Sequence, residues 1–259
     1  MTVYEKKYDD TMGLNEMERL TPWWLSLCLF LSGWLGFSLL ATVVSLTVSA
    51  IGFENLDKAN MYVNFFTYFL MALAFLAYMI LYKKGSVLKT WLRSFKRRDV
   101  WAYGVISLGM IFGISFIINI VITLIFPAIG DNTNEIGVNA MISQFPLQTF
   151  FVTVVFAPFC EETTYRYGLF SALKRKNIYL AFIVSTVVFA FIHCDISGLI
   201  QALIKGNNEY ALNELLNMPM YCGAGFALAY AYYKSGSTAG SFISHALNNL
   251  LGFIMQLAV

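Results

Sequence analysis

The chain has 259 residues, of which 58% are hydrophobic, 17% aromatic and only 12% charged, with a formal net charge of +2. About a quarter of the residues in a soluble domain are charged, so this composition excludes a water-soluble globular enzyme. The small net charge argues against a nucleic-acid partner. The four cysteines, Cys28, Cys160, Cys194 and Cys222, lie in or beside apolar segments, with neither metal-site nor disulfide-scaffold spacing.

In chain order, residues 1–21 read as a polar tail carrying Glu5, Asp9, Asp10, Glu16 and Glu18 against Lys6, Lys7 and Arg19. We expect this tail on the cytoplasmic side, with an interfacial turn near Met17 to Leu20. No charge occurs from Pro22 to Phe53, and Trp23 and Trp24 stand where an aromatic belt anchors a helix end. That run is far longer than the apolar region of a signal peptide, roughly 7 to 15 residues. A second span is expected over about 61–82. The basic stretch after it, Lys83, Lys84, Lys89, Arg93, Lys96, Arg97 and Arg98 against Asp99, reads as a solvated cytoplasmic loop. Trp91, Leu92 and Phe95 offer the alternative of a short amphipathic helix on the membrane surface.

The third span, 100–129, contains Gly109 and Gly113 at a spacing that lets helix backbones approach closely. The loop after it holds Asp131 and Glu135 and no lysine or arginine, as expected of the outer face. Further spans are expected over 147–173, 178–194, 218–233 and 241–259. Residues 197–217 carry apolar positions at helical spacing on either side of Gly206-Asn207-Asn208, which predicts two short amphipathic or re-entrant pieces, a lid or a plain connector. The fold class is an all-α polytopic membrane bundle of about seven spans, within a range of 6–8. We divide it into the tail 1–21, a support 22–130 and a catalytic core 147–259.

The polar residues inside these apolar helices point to function. Cys160-Glu161-Glu162-Thr163-Thr164-Tyr165-Arg166 places two carboxylates and a guanidinium at membrane depth, where an ionised group costs roughly 2.5 to 3.5 kcal/mol. Both histidines, His193 and His245, are expected inside apolar helices as well. At 1.5 Å per residue, Glu161 and His193 lie about 20 and 25 Å from the basic residues that end their segments, and His245 and Asn249 about 16 and 22 Å. One layer of the bilayer therefore accommodates all four if their helices are neighbours. Glu162 and Arg166 are i and i+4, so they pair on one face and leave Glu161 to point elsewhere; His245 and Asn249 share the same spacing. Amide hydrolysis needs a carboxylate and an imidazole to take a proton from water, and fixed donors for the oxyanion.

Glu-Glu-xxx-Arg at 161–166, Phe-xxx-His at 189–193 and His-xxx-Asn at 245–249, in that order on successive apolar segments, resemble the three motifs of the CPBP family. This family, also called Abi, comprises intramembrane proteases that include the CAAX prenyl endopeptidases and bacteriocin-immunity proteins. The resemblance implies that Glu161 and His193 activate the attacking water. It further implies that His245 and Asn249 form the oxyanion pocket, and that Glu162, Arg166 and Phe189 support the site. It leaves two chemistries, a metal-free glutamate and water mechanism, which we favour, and zinc held by the histidines and a glutamate, for which no His-Glu-xx-His pair is present. The implied substrate is a membrane-embedded or membrane-associated peptide or protein, and the implied roles are peptide-signal maturation, bacteriocin self-immunity or membrane-protein processing. The implied location is a bacterial plasma membrane. The alternative from another class is a non-catalytic scaffold that binds a membrane regulatory protein such as a sensor kinase.

Overall fold

A computed structural model describes residues 13–53, 55–127 and 133–258, and contains no strand among them. Helix α1 is Glu16–Leu20, α2 is Trp23–Ile51 with a π-turn at Ser32–Gly36, and α3 is Leu56–Leu81. Helix α4 is Ser86–Ser94, α5 is Arg98–Ile125 and α6 is Thr133–Gln144. A continuous rod over 146–174 forms α7; α8 is Ile178–Phe191, α9 is Ile196–Lys205, α10 is Asn208–Ser235 and α11 is Thr238–Leu257.

The outer helices show why this chain belongs in lipid. Leu39, Leu46, Phe116 and Leu124 are 69%, 67%, 68% and 78% exposed, whereas Glu162, Arg166, Glu214 and Ser244 are at most 1% exposed. Apolar side chains outward and polar ones inward is the arrangement a hydrocarbon solvent favours. By length and composition, α2, α3 with α4, and α5 qualify as membrane spans among the described residues. The pair α8 and α9, bent by 68°, qualifies as a fourth if it is counted as one. Helices α7, α10 and α11 are long enough for the roughly 30 Å hydrocarbon layer, but the polar residues of the interior dilute their hydropathy. Helix α5 packs on α10 and α11, α8 packs on α10, and α2 lies along the motif-bearing half of α7.

Several local expectations need correction. Residues 13–21 are not a free tail. Asn15 and Glu18 form a capping box at the start of α1, and Met17 and Glu18 are fully buried. Residues 1–12, Glu54 and Asp131 of the predicted loops lie outside the described residues. The basic stretch is a packed helix rather than a solvated loop: Val87, Thr90 and Ser94 of α4 are buried, and Trp91 meets Phe159 and Phe242 edge-on. Lys83 and Lys84 adopt positive φ (46° and 54°), which folds α4 back against the bundle.

Gly109 and Gly113 are exposed, and a Cβ at either would meet nothing within 4 Å, so they mediate no close approach. The close approaches are elsewhere. A Cβ at Gly33 would stand 1.8 Å from Thr164 Oγ1, and one at Gly168 would stand 2.8 Å from the Phe30 backbone nitrogen. Both seat α2 directly on α7. Helix α6 falls where only a loop was expected. Of the two amphipathic pieces expected over 197–217, the first is α9, closed by left-handed Gly206 (φ 72°). The second is continuous with the next span as α10, which starts at the Asn207 cap and carries Pro219 inside it.

Candidate functional site

Helix α7 positions the acidic motif through irregular winding. It is π-helical over Phe151–Phe156 and again over Glu162–Phe170. Pro158 has no N–H to return to the Val154 carbonyl, and the first π-stretch immediately precedes it. Wider turns change the angle between successive side chains, and π-turns of this kind recur at functional sites. Glu161 faces a cavity while Glu162 turns into the bundle.

Glu162 is the hub of the interior. Its Oε1 lies 3.2 Å from Arg166 Nη1, an ion pair without hydrogen-bond alignment, and 3.0 Å from His245 Nδ1. Arg166 also donates from Nη2 to the Gly225 carbonyl at 3.1 Å and stacks its guanidinium 4.4 Å from the Phe189 ring centroid. Phe189 therefore sits between the cation and the two imidazoles, with centroids 4.6 Å from His193 and 5.9 Å from His245. These contacts hold the angular positions of three elements with one buried charge pair.

Helix α8 ends at Phe191, so His193 lies on the turn just beyond it rather than inside the expected span. The shift matters for its orientation. His193 Nδ1 donates to the Phe189 carbonyl at 2.8 Å, which assigns the free lone pair of the neutral ring to Nε2. That Nε2 stands 3.9 Å from Glu161 Oε2, and His245 Nε2 stands 3.8 Å from the same oxygen. Both separations exceed a direct hydrogen bond, and Glu161 Oε2 has no hydrogen-bond partner among protein atoms. Two imidazole nitrogens and one carboxylate oxygen thus face a common gap.

Asn249 lies one helical turn beyond His245 on α11. Its Nδ2 donates to the Thr153 carbonyl at 2.8 Å, in the first π-stretch of α7, and Asn248 Nδ2 approaches its Oδ1 at 3.3 Å. The structure therefore brings Glu161, Glu162, Arg166, Phe189, His193 and His245 into one contact network and ties Asn249 to the adjacent turn of α7. Among the described residues, no group of three or more His, Cys, Asp or Glu side chains is arranged to hold a metal ion.

Glu161 forms part of the wall of a cavity of about 570 Å³ bounded by α2, α3, α7 and the end of α8. Trp34, Phe37, Phe191 and Ile192 make most of it apolar, and Tyr68 and Glu161 bring polar groups. Tyr68 donates to Glu161 Oε1 at 3.4 Å, and Tyr221 stacks on His193 with centroids 4.7 Å apart. Neither tyrosine stood out in the sequence, since an aromatic residue in an apolar helix carries no spacing signal. The turn that bears His193 is held from α10: the Asp195 N–H donates to Glu214 Oε2 at 3.1 Å, and Tyr210 donates to Asp195 Oδ2 at 2.8 Å.

Comparison with known proteins agrees with the resemblance drawn from the motifs. Residues 143–251, less than half of the chain, match the family described as type II CAAX prenyl endopeptidase Rce1-like. The chain is 24% identical over 228 residues to UPF0177 protein YvdC of Lactococcus lactis, covering 88% of this chain and 78% of that one. It is 23% identical to UPF0177 protein YxdF of the same organism, over 68% of this chain and 88% of that one. It is 25% identical over 128 residues to a Bacillus subtilis protein named "Putative membrane peptidase YdiL", covering 49% of this chain and 44% of that one. No solved structure matches.

Proposed function

We propose that this chain, similar to the Rce1-like endopeptidases over residues 143–251, is an intramembrane protease that cleaves a peptide bond with water activated by Glu161. One observation carries the reading. A buried carboxylate oxygen without a protein partner faces two imidazole nitrogens at 3.8 and 3.9 Å beside an apolar cavity. Such a gap suits a water molecule that accepts from one group and donates to another.

In this mechanism the water oxygen bonds to the scissile carbonyl carbon as its proton passes to Glu161, with the Nε2 lone pair of His193 accepting from the same water. The C–O π electrons move to the carbonyl oxygen. His245, when it carries both protons, donates to that oxyanion from Nε2 while its Nδ1–H is held by Glu162. The second amide hydrogen of Asn249, the one not given to Thr153, is the further donor. When the tetrahedral intermediate collapses, the proton on Glu161 goes to the departing nitrogen as the C–N bond breaks. One water is thus added across one peptide bond. Glu162, Arg166 and Phe189 touch no reacting atom in this scheme and act as positioning residues. The substrate is a membrane-associated peptide or protein whose apolar segment fits the aromatic cavity.

The test compares peptide termini in cells expressing wild type, Glu161→Gln and His193→Ala at matched membrane levels, by mass spectrometry of membranes and secreted peptides. Termini present with wild type and lost in both variants support the proposal. Identical termini in all three samples, with a cellular phenotype that survives the substitutions, would replace it with a non-catalytic scaffold.

A further inference from the structure

A second site lies at the basic end of the bundle, away from Glu161. A groove of about 400 Å³ opens between the start of α5 and the end of α10, beside the end of α7 and residues 13–15. Three cations from three elements line it: Arg97, Lys174 and Lys234. Their charges are not all spent. Lys174 pairs with buried Glu18 at 2.9 Å. Arg97 gives Nε and Nη2 to Asp99 and also gives Nη2 to the Ser235 carbonyl, leaving Nη1 uncommitted. Lys234 is exposed and has no ion pair among the described residues; its ammonium sits 5.9 Å from the Tyr103 ring centroid. Among the described residues two carboxylates therefore answer three cations, which leaves the groove they form with a net positive charge.

The setting selects the ligand. All three cations stand at helix ends, where a bundle meets the headgroup layer, and Tyr103 and Tyr233 form the walls as interfacial aromatics do. Tyr233 is 43% exposed, so this wall of the groove opens to the outer surface of the bundle. A basic groove between membrane helices at this depth suits an anionic headgroup. Free phosphate would satisfy the cations and leave the apolar border unused.

We propose that the groove formed by Arg97, Lys174, Lys234, Tyr103 and Tyr233 binds the phosphate of an anionic phospholipid headgroup. Its test is independent of the protease reading, because it measures lipid retention and not turnover. The purified full chain is exchanged into micelles containing equal amounts of phosphatidylglycerol and phosphatidylcholine, and retained lipid is counted by native mass spectrometry. Wild type should retain phosphatidylglycerol about fivefold over phosphatidylcholine. Lys234→Gln should bring the ratio close to one, Lys234→Arg should keep it, and Lys58→Gln, an equal loss of charge elsewhere, should leave it unchanged. Equal retention of the two lipids by wild type would overturn the proposal, as would an equal effect of Lys58→Gln. A thermal shift with inorganic phosphate as large as that with phosphatidylglycerol at the same concentration would overturn the lipid assignment.

Discussion

Arg166 is fully buried and its pair with Glu162 is imperfectly satisfied, since Arg166 Nε and Glu162 Oε2 have no hydrogen-bond partners. Removing one member of a buried pair strands the other, at a cost of about 3–5 kcal/mol. Arg166→Met should therefore lower stability in detergent by that amount. The double variant Glu162→Gln/Arg166→Met should recover part of the loss, which a double-mutant cycle on thermal unfolding measures. At this scale the sequence was informative where ionisable groups break an apolar run. The pairing of Glu162 with Arg166 followed from i, i+4 spacing alone. Tyr68 and Tyr221 were illegible because their roles depend on which helices become neighbours. Asn249 was expected on the same helix face as His245 from its i, i+4 spacing, but its bond to Thr153 required knowing that α7 winds as a π-helix there.

Gly33 and Gly168 determine how closely α2 approaches α7, and both elements border the cavity or carry the acidic motif. Gly33→Ala should cost about 1–3 kcal/mol of stability by overpacking against Thr164. Gly109→Ala, at an exposed position, should be neutral or slightly stabilising because alanine favours helix. Unfolding of the two variants side by side checks both. Spacing singled out the wrong glycines for a physical reason: a small residue permits close approach but does not say which neighbour arrives. The basic stretch misled in a similar way. Its charges were read as solvation, yet Val87, Thr90, Trp91 and Ser94 form a face that packs inward. The end of α8 was placed three residues late, because Ile192, His193 and Cys194 continue an apolar pattern through a turn.

Across the whole molecule, the N-terminal segment closes the basic end. Glu18 accepts from Tyr232 at 2.9 Å and pairs with Lys174, and Thr21 bonds Tyr167 and, at 3.1 Å, Tyr78. Glu18→Ala should leave Tyr232 without its acceptor and Lys174 with only the Gly13 carbonyl, and destabilise the protein by about 3–5 kcal/mol. Limited proteolysis in detergent should then show cleavage near residues 13–21 that wild type resists. Composition made the all-α membrane class legible, and the order of three motifs singled out the polar residues that the structure gathers around Glu161 and Glu162. The docking of α1 was hidden because a short acidic segment before a long apolar run has the composition of a solvated tail.

The bond between Glu18 and Tyr232 joins residues 214 apart in the chain. A ribosome adding about 5–20 residues per second needs roughly 10 to 40 s to make that interval. For the first 156 residues of that interval neither partner of Glu18 has been made; Lys174 then follows, and Tyr232 comes only at its end. The basic end therefore locks only once translation is nearly complete. Nascent chains arrested before α10 should remain open there to proteases and to the membrane insertion machinery, even with α2, α3 and α5 already in the bilayer.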